Sequence, residues 1–91
     1  MELSERCIAQ LEQEGFVHIY EWQEESGSLF NDRVHTMPTA LYITEGSVDI
    51  TLQGITKTLS TGERLDIPPG IPYSTVAGPN GCQYVAGEHI T

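Results

Sequence analysis

Hydrophobic positions along the chain change period near residue 15. Leu3, Cys7, Ile8 and Leu11 recur at helical spacing among strong helix formers. The spacing predicts an amphipathic helix, opened by Ser4 as N-cap, running from Glu5 to Glu14 and ended at Gly15. Its apolar face must lie against something, either as a lid over a sheet or as a dimer contact. After Gly15 the period becomes two. Phe16 to Gln23 alternates, with Val17, Ile19 and Glu21 on one face and Phe16, His18, Tyr20 and Trp22 on the other. Glu24-Glu25-Ser26-Gly27 reads as a solvated polar turn. A less regular strand follows from Ser28 to His35, then a loop at Thr36–Thr39. Ala40 to Thr44 is strongly β-prone and is closed by Glu45-Gly46.

The clearest element is a hairpin. Ser47 to Leu52 alternates polar and apolar, Gln53-Gly54 follows, and Ile55 to Leu59 alternates again. A two-residue turn with glycine second suits type I′ geometry and pairs Leu52 with Ile55, Thr51 with Thr56, Asp49 with Thr58 and Val48 with Leu59. The polar pairs then share one face and the apolar pairs the other, with Lys57 left on the apolar side. Past Ser60 the chain reads Gly62-Glu63-Arg64-Leu65-Asp66-Ile67-Pro68-Pro69-Gly70-Ile71-Pro72-Tyr73. Pro68-Pro69 has no amide hydrogens to give a ladder, so a rigid bend separates the strand at Leu65–Ile67 from the next. Tyr73 to Ala77 is that strand, Gly78-Pro79-Asn80-Gly81 a turn, and Cys82 to Ala86 the last strand. Short strands at roughly ten-residue intervals indicate an all-β sandwich or barrel.

Composition bounds what such a barrel can do. Ninety-one residues make one domain, with a helix over 1–15 and a β-barrel over 16–91. So short a chain leaves apolar faces hard to cover, which makes a homodimer the expected state. Thirteen acidic residues against four basic give a net charge of −9, which excludes nucleic acid and anionic membrane surfaces as partners. The chain carries no apolar run long enough to cross a bilayer and no signal peptide at its start, so a cytoplasmic protein is expected. Cys7 and Cys82 form no C-x-x-C and read as separate, inert thiols.

The stretch from Gly62 to Tyr73 resembles the second motif of the cupin family, G-x5-P-x-G-x2-H. Gly62, Pro68 and Gly70 match, and Tyr73 stands where the family has histidine. The first cupin motif, G-x5-H-x-H-x3,4-E-x6-G, is matched at Gly27, His35 and Gly46, with Arg33 in place of the first histidine and Thr39 in place of the glutamate. Shifting by one residue puts Ala40 there instead. The resemblance implies a jelly-roll β-barrel, often dimeric. In metal-binding cupins those four positions hold a divalent ion. Here they read Arg33, His35, Thr39 and Tyr73, of which only His35 is a competent ligand, so neither a metal nor another cofactor is expected.

The matching positions instead imply a small pocket where Arg33, His35, Thr39 and Tyr73 converge. Tyr42 and Tyr84 add aromatic wall if they point inward. Arg33 would supply a fork for a carboxylate or phosphate in a small polar or anionic ligand. An equal reading pairs Arg33 with Asp32, Glu45 or Asp66 to fill the barrel, leaving a non-catalytic dimeric module. The alternative is an enzyme. A metal-free isomerase or epimerase would use His35 as base, Tyr73 as acid and Arg33 against a developing oxyanion. A metal-dependent dioxygenase would need an ion to be bound after all.

Overall fold

The computed structural model describes residues 2–89. A single helix, α1 (Leu3–Gln13), precedes six strands: β1 (Phe16–Glu24), β2 (Leu29–Arg33), β3 (Thr39–Leu52), β4 (Ile55–Ser60), β5 (Arg64–Ile67) and β6 (Tyr73–His89). All pairings are antiparallel. β3 and β6 are long, and they pair with each other along nearly their whole length. The first half of β3 also pairs with β5 and the second half with β4. The second half of β6 pairs with β1 and the first half with β2. One continuous ladder is thereby folded into two layers, β1-β6-β3-β5 and β2-β6-β3-β4, as in a jelly-roll barrel.

The fold at the middle of the ladder is made by glycines. Register slips between Gly46 and Val48 on β3, opposite Cys82 and Ala77 on β6. Gly46 has φ +76°, and a Cβ there would overlap the carbonyl oxygen of Gly81. A Cβ on Gly78 would likewise overlap the Ser47 side chain. Backbones approach too closely there for any side chain. For this reason Gly78-Pro79-Asn80-Gly81, expected as a turn between two strands, is instead a bulged passage within the single strand β6. Ala40–Thr44 and Ser47–Leu52 are likewise one strand that bends at Gly46 rather than ending there.

The expected hairpin is present, in the expected register. Gln53 and Gly54 both have positive φ, at 51° and 80°, the signature of a type I′ turn. Thr51 bonds Thr56 at 2.7 Å and Thr58 donates to Asp49 at 2.6 Å on the outer face. Val48, Ile50 and Leu59 are buried on the inner one, in a core completed by Leu41, Ile43, Ile67 and Ala86.

Helix α1 is a lid on the outer face of the first layer. Cys7 and Leu11 are buried against Ala40 and Val85, with Leu3, Ile8, Phe16, Ile19 and Tyr42 packed around them. Ser4 is not the N-cap. The helix begins two residues earlier than a Ser4 cap would have it, capped by the extended Glu2 with no side-chain bond. Starting at Leu3 brings that residue into the apolar stripe, which outweighs a cap worth about 1 kcal/mol. Arg64 ties the helix end to the sheet. It donates to both Glu14 carboxylate oxygens at 2.8 and 2.9 Å, to Asp66 at 3.0 Å and to the Tyr42 hydroxyl at 2.9 Å. The hydrogen bonds from Arg64 hold the Glu14 carboxyl down at about 2.

Strand β1 departs from simple alternation. His18 has φ 51°, and the register slips between Val17 and Tyr20. The bulge exchanges faces for the residues before it. Phe16, on the outer face, joins Ile19 beneath the helix, whereas Tyr20 and Glu24 point into the barrel. Among the described residues no helix is long and apolar enough to cross a membrane.

Candidate functional site

Because β6 is flanked by β1 in one layer and β2 in the other, the two layers meet along a seam lined by β1 and β2. The side chains with chemistry converge there. On β2 a second bulge does the positioning. Asp32 has φ 53°, and register slips between Phe30 and Arg33. Phe30 lies opposite Thr75 and Arg33 opposite Tyr73, so both face inward, with the Arg33 guanidinium 4.8 Å from the Phe30 ring centre. His35 is placed by the Pro-Pro-Gly bend. Two prolines offer no amide, and the first that does, Gly70, donates to the His35 carbonyl at 2.8 Å. The bend carries Tyr73 directly onto His35. Their rings stack 5.5 Å apart, and His35 Nε2 lies 2.6 Å from the Tyr73 hydroxyl oxygen.

Burial pushes the His35 imidazole below its ordinary range and the Tyr73 phenol above its own. Near neutral pH both groups are therefore uncharged, and the Tyr73 O–H donates to Nε2. Thr39 lines the same interior, but its hydroxyl donates to the Met37 carbonyl at 3.0 Å.

The residue that sequence reasoning missed is Glu24. Placed in a solvated turn by its neighbours, it is instead the inward-facing last residue of β1 and only 5% exposed. Its Oε1 accepts from Arg33 Nη1 at 3.3 Å and from the Tyr84 hydroxyl at 3.4 Å. Arg33 therefore pairs across the seam with Glu24, not with Asp32, Glu45 or Asp66. Both bonds are long for charge-assisted contacts. Glu24 Oε2 and Thr75 Oγ1 are buried without a hydrogen-bond partner. These groups, with Tyr20, His35 and Tyr73, surround a cavity of about 20 Å³. That is room for roughly one water or one hydroxyl group.

Of the residues singled out in the sequence, Arg33, His35, Thr39, Tyr73 and Tyr84 line this cavity. Tyr42 does not. It sits on the outer face of β3, packed beside the helix and bonded to Arg64. Alternation explains it, because Leu41 and Ile43 on either side point inward.

A divalent ion of the kind cupin barrels hold does not fit these side chains. Arg33 brings a fixed positive charge, Tyr73 is held in its protonated form, and Nε2 of His35 is already engaged. Among the described residues no three His, Cys, Asp or Glu side chains come together.

No family model matches the chain, and no curated protein matches it. Solved structures do. A cupin superfamily protein from Desulfitobacterium hafniense superposes with TM-score 0.73 at 16% identity, over 80% of this chain and 66% of that one. An RmlC-like cupin from Shewanella frigidimarina gives 0.71 at 17%, over 84% and 68%. The cupin domain of an XRE family transcriptional regulator from Enterobacter cloacae gives 0.72 at 12%, over 80% of each. The chain thus spans about two thirds of the length of the first two. The fold shared with all three is the cupin jelly roll.

Proposed function

We propose that this chain, a small protein with the cupin fold, is a binding module that admits one hydroxyl-sized group of a small polar ligand between Glu24, Arg33 and Thr75. The observation that carries this reading is the pair of unpartnered buried oxygens, Glu24 Oε2 and Thr75 Oγ1, beside a cavity of about 20 Å³. Buried polar atoms without partners are uncommon and are ordinarily satisfied by water or ligand. Glu24 also changes the ligand expected at Arg33. The pair is neutral overall, so an anion arriving at the guanidinium meets a carboxylate beside it. A neutral hydroxyl, able to donate to Glu24 and accept from Arg33, suits both. The rest of such a ligand stays at the mouth, where Tyr20 and Phe30 are half exposed.

The module acts as a single cupin domain, a homodimer in the cytoplasm. The exposed Trp22, Leu29 and Val34 support self-association. The test of the ligand site is a titration of isotope-labelled protein with glycerol, a neutral hydroxy compound, and with acetate. Glycerol shifting the Thr75 and Arg33 side-chain resonances, with the effect lost in Arg33→Ala, supports the reading. Acetate acting alone, or neither acting, overturns it.

A second reading is favoured by the His35–Tyr73 bond. A neutral imidazole 2.6 Å from a protonated phenol is an acid–base pair suited to moving a proton next to a carbonyl. It predicts deuterium uptake from heavy water at the carbon beside the carbonyl of a small ketose, abolished in His35→Gln and in Tyr73→Phe. No uptake above the uncatalysed rate sinks it.

A further inference from the structure

The opposite seam of the barrel, where β4 and β5 form the edges of the two layers, carries an independent site. Among the described residues no ion pair joins β4 to β5 there. Between the β3–β4 hairpin and Leu65 of β5 lies a slot of about 160 Å³, its walls formed by Ile50, Leu52, Ile55 and Leu65. Gln53 and Lys57 complete the lining. Ile50 is shared with the cavity beside Glu24 and separates the two.

Lys57 is the unusual member. It lies opposite Ile50 on the apolar side of the hairpin, at an exposed position beside the exposed Ile55. The ion pairs among the described residues engage Arg33 and Arg64, and Lys57 enters none of them. Arg6 enters none of them either, and of the two only Lys57 borders an apolar slot.

We propose that this seam binds a small aromatic or branched aliphatic carboxylate, its apolar body in the slot and its carboxylate on Lys57. The volume is that of a benzene-sized body, about 150 Å³ in an enclosed apolar cavity, and here the slot opens to solvent at Ile55. The chemistry agrees too. Ligand sites combine apolar walls with a few placed polar groups, and here the Lys57 ammonium and the Gln53 amide both donate to a carboxylate. Of the four basic residues, Lys57 is the one that borders this slot, so it sets where a carboxylate sits.

The experiment is a titration of protein carrying labelled isoleucine and leucine methyls, using benzoate and, as the uncharged counterpart, benzyl alcohol. Benzoate shifts the methyls of Ile50, Leu52 and Leu65 in a saturable way. Lys57→Met keeps the aliphatic stem and removes the charge, so it weakens benzoate about fivefold and leaves benzyl alcohol unchanged. Leu65→Trp, which fills the slot, removes binding of both. Absence of methyl shifts at roughly 10 mM benzoate overturns the proposal. So does equal binding of the two probes, or sedimentation showing that a second copy of the chain covers these methyls.

Discussion

The two seams of this barrel flank the same central pair, β3 and β6, and solve the same problem in opposite ways. Along β1 and β2 the layers are joined by charge, with Glu24 of one reaching Arg33 of the other at 3.3 Å. Along β4 and β5 the space between them is lined by branched aliphatic side chains, and the one charged group of that lining, Lys57, enters no ion pair among the described residues. The polar seam is closed down to about 20 Å³, whereas the apolar one retains about 160 Å³. A paired charge draws strands together because a buried unpaired charge is costly. Aliphatic contacts have no direction and leave the spacing to the backbone. What one seam can recognise is therefore a hydrogen-bonding pattern, and what the other can recognise is a shape with one charge.

The strongest way to break this contrast is to remove the bend that creates both seams. Gly46→Ala places a Cβ against the Gly81 carbonyl at φ +76° and costs roughly 3 kcal/mol or more, read as a lowered urea midpoint. A wild-type midpoint would mean that the layers do not depend on this close approach. Next in size is Glu24→Leu. It strands the Arg33 charge in the seam at a cost of about 2 kcal/mol, held below the fully buried case because the Arg33 side chain is 30% exposed. Adding Arg33→Leu recovers much of that loss. A single variant no worse than the double would show that the pair does not hold the seam.

Acid distinguishes the seams more gently. The folded-state pKa of His35 lies below its unfolded value, so protonation favours the unfolded chain. Its contribution is whole above the ordinary histidine pKa near 6.5 and is lost as pH falls through the depressed value. Thermal midpoints of the wild type should therefore drop through this window more than those of His35→Gln, and parallel curves would contradict the assignment. The smallest effect is expected across the barrel, where Lys57→Met changes stability by at most about 0.5 kcal/mol in the absence of ligand. A loss comparable to that of Glu24→Leu would make the two seams alike.

What could be read in the chain follows from how local its causes are. The hairpin register was legible because the Gln53-Gly54 turn and the alternation on both sides of it agree over a dozen residues. The jelly-roll frame was legible through Gly27, Gly46, Gly62, Pro68 and Gly70, whose spacing reflects backbone geometry. Convergence of Arg33, His35 and Tyr73 followed from that frame, and the structure brings them together. Glu24 was not legible, since its burial depends on Arg33 and Tyr84, which arrive from β2 and β6. Next to Glu25, Ser26 and Gly27 it looks like any solvated acid. The His18 bulge was hidden for a related reason. Nothing in Phe16 to Gln23 marks a face exchange, which is imposed by packing Phe16 and Ile19 beneath α1. Tyr42 was assigned only conditionally, and one neighbour on either side decides its face.

That β3 and β6 each serve both layers has a consequence for how the molecule opens. Neither layer owns its central strands, so neither can be lost while the other persists. Amide hydrogens in the middle of β3 and β6 should exchange together and only through whole-molecule opening, whereas those of β2 and β5, each hydrogen-bonded along a single side, exchange through local fraying. The barrel is in this respect one cooperative unit with detachable edges. Both candidate sites lie at those edges, where strands can part to admit a ligand while the bent ladder between them stays intact.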